Sequence, residues 1–247
     1  MDFKDYLRWI VYYSGYYMNK NDCSKIIYYH DVYDDSNGGV KYTSMSTPLS
    51  LLISHVNIIK KTSFRVVPFI DNAKRQIQIT FDDGFKGIWD NRFYFYENEI
   101  CPTVFIANKL IGMEGYLTVE NIKELKKHGF SFQSHTYSHV ALTKLNTEQL
   151  YHELNDSKYK LEDIFECSFD EICFPMGCFS DQVHQMSLSV GYKKMYSSIP
   201  GNYFDNMDVH LYYRNLVQGL SPKLFEWALL GGMEILRSHY KKLHYKK

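Results

Sequence analysis

Two short stretches hold side chains whose types and spacing suit chemistry. In "ITFDDGFKG" (79–87) the carboxylates of Asp82 and Asp83 are adjacent, between an apolar β-branched run and a glycine. In "SHTYSH" (134–139) His135 and His139 are four residues apart, a spacing that lets two imidazoles reach one point on the same side of a turn or helix. Side-by-side negative charges repel, and an acidic pair before glycine often does no more than cap a turn in water. A carboxylate with two neutral imidazoles is, alternatively, a facial ligand set for a divalent metal that keeps positions open for water and substrate. Such an ion would also offset the charge of the paired aspartates.

Both stretches need elements that bring them together. Strand-like runs alternate with helix-like ones: "KIIYYH" (25–30), a helix over 48–61 capped by Ser46 or Thr47, a short strand at "FRVVPF", and a buried strand over 76–81. A helix over "GIWDNRFYFYENEI", a strand at 102–107, a helix over 118–129 and the strand "FSFQSH" follow. A long amphipathic helix opened by Asn146 leads to "EICFP", a helix from Ser180, "KKMYSS" and a last strand, "HLYYRNLV". "LFEWALLGGMEIL" (224–236) reads as a C-terminal helix facing the core. Repeated strand–helix units predict a parallel sheet wound or closed by helices, whose chemistry sits at the C-terminal strand ends. Asp82, His135 and His30 all fall at such ends.

Composition narrows the partners. Lys plus Arg and Asp plus Glu each total 28, so nothing calls for nucleic acid or an anionic surface. Apolar residues at 45% suffice for one large core. Five scattered cysteines without a close pair argue against a zinc ribbon or a disulfide framework. Twenty-two tyrosines offer flat faces with hydroxyls, which suit sugar rings and cores alike. The opening "MDFKDYLRWIVYYSGYYMNK" lacks the pattern of a secretory signal and is too short and polar to span a bilayer. The expectation is an N-terminal helical extension over 1–24 packed on a domain over 25–247. That places the protein in the cytoplasm, with peripheral membrane contact through the helix as a lesser option.

"ITFDDG" followed by "SHTYSH" resembles the first two motifs of the NodB-homology polysaccharide deacetylases, carbohydrate esterase family four. "IIYYHDV", "CPTVFIANKLIG" and "FPMG" extend the likeness over about residues 25–217, with Met176 where an aromatic residue is usual. The resemblance implies a single-domain α/β fold, an irregular (β/α) barrel of about seven units. It implies a hydrolase that removes acetyl groups from N-acetylated sugars of a polysaccharide or glycan precursor. Residue by residue, it makes Asp82 the general base, and Asp83, His135 and His139 the ligands of one divalent ion, zinc first and cobalt, nickel or manganese after it. The Met176 N–H becomes the oxyanion donor. Pro175, Tyr137 and His30 are expected to border the substrate.

The pattern also departs from the family. Cys173 stands where an arginine usually holds the catalytic aspartate, and Arg214 in "LYYRNLV" is the candidate replacement from another strand. The histidine that protonates the leaving amine has no clear match; His210 is the nearest, yet it stands at a strand start. These gaps leave two other readings: a catalytically silent sugar-binding relative that keeps the metal site, and an amidohydrolase acting on a small non-sugar amide.

Overall fold

Apolar β-branched runs bounded by turn residues become the parallel staves of an irregular barrel, with helices packed outside it. The structure is a computed structural model that describes residues 3–205 and 208–246. Helix α1 (Phe3–Asn19) precedes β1 (Lys25–Tyr29), and β2 (Asp31–Tyr33) with β3 (Ser46–Pro48) forms a small side ladder. Then come α2 (Leu49–Lys61), β4 (Arg65–Val66), β5 (Gln76–Phe81), α3 (Gly87–Asp90), α4 (Arg92–Glu97) and β6 (Thr103–Ile106). The chain continues through α5 (Val119–Lys127), β7 (Ser131–Ser134), α6 (Thr147–Phe165), β8 (Glu171–Cys173), α7 (Asp181–Val190) and β9 (Lys194–Tyr196). It ends with β10 (Leu211–Tyr212), β11 (Asn215–Leu216), α8 (Pro222–Trp227) and α9 (Arg237–His244).

The strand order is β10-β9-β8-β7-β6-β5-β1-β11, and every pairing in it is parallel. The last strand works in two halves. Leu211 pairs with Met195 on β9, whereas Asn215 pairs with Ile27 on β1. The stretch 211–216 therefore joins the two ends of the sheet, with Tyr213 and Arg214 spanning the seam. Seven staves result: β1, β5, β6, β7, β8, β9 and this shared segment. Strands β1 and β5 are buried along their whole length, as expected of parallel strands covered on both faces.

Several sequence expectations shift. Ser46 and Thr47 lie in β3 instead of capping α2, whose N-cap is Pro48 without a side-chain cap. Ser46 donates to the buried Asp31 carboxylate instead, at 2.5 Å. The helix expected over 87–100 breaks at Asn91, whose buried amide donates to the Val32 carbonyl (3.2 Å) and the Gly87 carbonyl (2.9 Å). The helix expected over 224–236 is α-helical only to Trp227. A wider π turn follows over Ala228–Gly232 and breaks at Leu230 and Gly231, where Gly231 takes φ 105° as the end of α1 crosses. A Cβ there would lie 2.3 Å from the Asn19 carbonyl oxygen. Helix α1 packs on this segment through buried Tyr12 and Gly15, with Trp9 edge-on to Trp227 at 4.4 Å. Its opposite arc exposes Tyr6, Ile10, Tyr13 and Tyr17. Among the described residues, no helix is long and apolar enough to cross a membrane.

Candidate active site

The β5 ladder runs one residue past the strand, where the Asp82 N–H donates to the Tyr29 carbonyl at 3.0 Å. The chain then turns sharply, with Asp83 at φ 69° and Gly84 at φ 77°. Aspartate tolerates this left-handed conformation better than most residues. A Cβ at Gly84 would meet the Ile106 side chain at 2.9 Å, so glycine suits the position twice over. Asp82 meets Arg214, whose two terminal nitrogens donate to its two oxygens at 2.6 and 2.8 Å.

Arg214 is fully buried and wholly engaged. Its Nε donates to the Ser197 carbonyl (3.2 Å), one terminal nitrogen reaches Thr80 Oγ1 (3.3 Å), and the guanidinium lies 4.3 Å from the Tyr28 ring centre. Burial alone would raise the pKa of Asp82, but the adjacent guanidinium outweighs it and holds the carboxyl below its ordinary range. Burial pushes the Cys173 thiol well up, so it stays neutral 2.8 Å from the Arg214 nitrogen.

His135 follows β7, with its N–H on the Ile106 carbonyl at 2.8 Å. Thr136 (φ 69°) and His139 (φ 59°) fold the chain back as a tight turn. Ser138 secures that turn by donating from its N–H and hydroxyl to Glu153. Both imidazoles thereby converge on Asp83: His135 Nε2 lies 3.1 Å and His139 Nε2 3.0 Å from Asp83 Oδ1.

The donor set passes a test for a cation. His135 Nδ1 lies 2.8 Å from the Cys173 carbonyl oxygen, which can only accept, so the ring proton belongs on Nδ1 and a lone pair on Nε2. That lone pair faces a carboxylate oxygen that is buried and has no hydrogen bond. Two acceptors held this close suit a cation between them, and separations of about 3 Å are compatible with metal bonds near 2.0–2.1 Å. Asp82, His135 and Cys173 also cluster. The Asp82 oxygens are committed to Arg214 and the thiol is neutral, so Asp83, His135 and His139 fit an ion better.

The remaining candidates surround this pair of features. His30 follows β1 directly beside Asp82, as the Tyr29–Phe81 register requires. Its Nδ1 is fixed 2.6 Å from Gln218 Oε1. Buried Pro175 and Met176 form a turn after β8, where Met176 takes φ 58° with its side chain 56% exposed. Tyr137 lines a cleft of about 470 Å³ along α6, with Lys160 and Lys109 near its ring. His210 stands before β10, its Nδ1 2.9 Å from the Lys193 carbonyl, at the barrel end opposite Asp82.

Sequence reasoning missed several neighbours. Thr80 and Tyr28 hold Arg214, Gln218 orients His30, and the Cys173 carbonyl orients His135. Tyr116 bridges antiparallel to Phe85 with rings stacked at 4.7 Å, close enough to feel the Asp83 charge. Thr80 lies within "ITFDDG" and Cys173 beside "FPMG", but each of these residues acts through a neighbour that only the barrel brings close.

A family model described as polysaccharide deacetylase matches residues 70–195. The chain is 28% identical over 155 residues to YxkH of Bacillus subtilis, covering 62% of this chain and 56% of that protein. A Geobacillus stearothermophilus protein is 21% identical over 132 residues, covering 52% of this chain and 48% of its own. The chain thus spans about half the length of the curated relatives it matches. Among solved structures, the Streptococcus pyogenes deacetylase PplD superposes with a TM-score of 0.72 at 21% identity, covering 87% of this chain and 99% of that one. The Bacillus cereus polysaccharide deacetylase BC0361 gives 0.70 at 23% identity, covering 85% and 69%. At such identities the likeness bears on the fold.

Proposed function

Because the chain belongs to the polysaccharide deacetylase family, we propose that it hydrolyses the acetamide of an N-acetylated sugar, in a glycan or glycan precursor, with one divalent ion at Asp83, His135 and His139. One observation carries this reading. A buried carboxylate held ionised by a paired arginine stands next in sequence to a carboxylate that faces two imidazoles. Zinc suits a set of one oxygen and two nitrogens.

A bound divalent ion would polarise the acetyl carbonyl and acidify a water at its open position. Asp82 is the base that takes the water's proton, and Arg214 holds its carboxylate in one orientation while keeping it charged between turnovers. As the carbonyl carbon becomes tetrahedral, its oxygen gains negative charge, and the Met176 N–H is the donor we assign to it. His30 is the histidine we assign to the leaving amine. It neighbours Asp82 on the adjacent stave, and Gln218 fixes its Nδ1 so that Nε2 is left for the substrate. Water's oxygen ends in acetate: one of its protons goes to Asp82 and the other leaves as the new acid ionises. The amine takes its proton from His30, and exchange with solvent returns Asp82 and His30 to their starting states.

Arg214 bears on one of the two grounds for the silent-relative reading, the arginine missing at position 173; the other was the missing histidine for the leaving amine. A cation reaches the same carboxylate from the seam strand. The test is acetate release from N-acetylated oligosaccharides and sugar nucleotides by metal-loaded protein. No acetate from any of them, with the metal bound, would count for the silent relative.

A further inference from the structure

The turn that bears Met176 is costly to hold, because Met176 (φ 58°) and Gly177 (φ 65°) are left-handed in succession and only glycine adopts that freely. Its first side is anchored in the barrel, where the Phe174 N–H donates to the Tyr196 carbonyl at 3.1 Å. Its second side is held from far along the chain. Phe179 and Tyr245 form a parallel bridge: the Phe179 N–H donates to the His244 carbonyl (3.0 Å), and the Lys246 N–H donates to the Phe179 carbonyl (2.8 Å). The two rings lie 5.4 Å apart, and the Tyr245 hydroxyl donates to Asp181 at 2.8 Å. The half-buried imidazole of His244 hydrogen-bonds the Met176 backbone carbonyl, with Nδ1 3.9 Å from Cys178 Sγ.

From these contacts we propose that the end of α9 and the residues after it form a clamp on this turn, with His244 as a positioning residue for the Met176 N–H. The inference rests on the hydrolase reading above. It assigns a role to residues outside the 70–195 stretch that matches the family model. Three consecutive residues grip positions 176, 178, 179 and 181, so the tail adds to the turn's own Gly177 N–H to Phe174 carbonyl bond (2.9 Å). It fixes the peptide after Met176 and, through the Met176 backbone dihedrals, the peptide that carries the donor N–H. His244 touches no substrate atom in this scheme; it acts through the Met176 carbonyl.

The test uses the whole chain loaded with zinc, with His244→Leu, His244→Gln and Tyr245→Ala. Acetate release is followed from 4-methylumbelliferyl acetate and from an N-acetylglucosamine tetrasaccharide, and amide exchange over residues 174–180 by mass spectrometry. Losing one oxyanion donor outright costs 10²–10³ in kcat, so a loosened donor in His244→Leu should cost about tenfold, with KM within about twofold. Metal content should stay at the wild-type level, and exchange over 174–180 should quicken. Glutamine keeps a donor and should recover most of the rate. Wild-type exchange in His244→Leu and Tyr245→Ala would overturn the clamp, and so would quickened exchange with an unchanged kcat. A wild type that releases no acetate would retire the hydrolase reading and with it the positioning role, while exchange would still report whether the tail holds the turn.

Discussion

The guanidinium of Arg214 meets the Asp82 carboxylate through two parallel hydrogen bonds of 2.6 and 2.8 Å, with the guanidinium fully buried and the carboxylate nearly so. The partners are 132 residues apart in sequence. Asp82 stands at the end of β5 and Arg214 on the seam between β10 and β11, so the pair spans the inside of the barrel.

Arg214→Met should therefore damage two properties at once. Removing one member of a buried pair leaves a charge uncompensated, at about 3–5 kcal/mol of folding stability. Acetate release should fall steeply while the ion stays bound at Asp83. Adding Asp82→Asn should return most of the lost stability, as denaturant melts would show, but none of the activity. A double variant as unstable as the single one would contradict the pairing.

Asp82→Asn alone keeps the shape of the side chain and removes the base. General-base catalysis is worth roughly 10²–10⁴, so kcat should drop at least about a hundredfold. Metal content measured on the same sample should be unchanged.

His135→Ala and His139→Ala should each bring bound zinc from about one ion per chain toward zero, read by elemental analysis after dialysis. Wild-type metal content in both variants would move the ion elsewhere.

His55 predicts a pH dependence of stability remote from the reaction. It is buried, its Nε2–H donates to the Leu220 carbonyl and its Nδ1 accepts from the Tyr29 hydroxyl at 2.8 Å each, and it stacks on Phe225 at 3.9 Å. Desolvation lowers its pKa from 6.5 to about 4. The unfolded chain therefore takes up this proton first as pH falls. Stability from His55 is full above pH 6.5 and is lost down to about pH 4, by roughly 3 kcal/mol at 1.36 kcal/mol per unit. Melts between pH 7 and 4.5 should show the loss, and His55→Gln should flatten it over that window.

Much of the barrel is legible in the chain because parallel staves are short apolar runs with turn residues after them, as at "QIQITF" and "FSFQSH". The aspartate and histidine pairs are legible for the same reason, being strand-end residues with recognisable spacing. What stays hidden depends on distant partners. The break at Asn91 follows from a carbonyl on β2, and the break at Gly231 from the crossing of α1. Arg214 reads only as a candidate until the seam places it against Asp82, and His244 leaves no trace because it works through a backbone carbonyl.

The seam also has a kinetic consequence. Synthesis delivers the N-terminal staves first, so Asp82, Asp83, His135 and His139 all emerge before residue 211. Until that segment docks, β1 and β9 are unpaired edges and the Asp82 carboxylate has no cation. Docking pairs both edges and supplies the guanidinium in one step, between contacts as remote in sequence as Ile27 and Asn215. Contacts of such long range form slowly. Recovery of activity on refolding should thus lag behind helix formation and collapse, and follow the capture of this single segment.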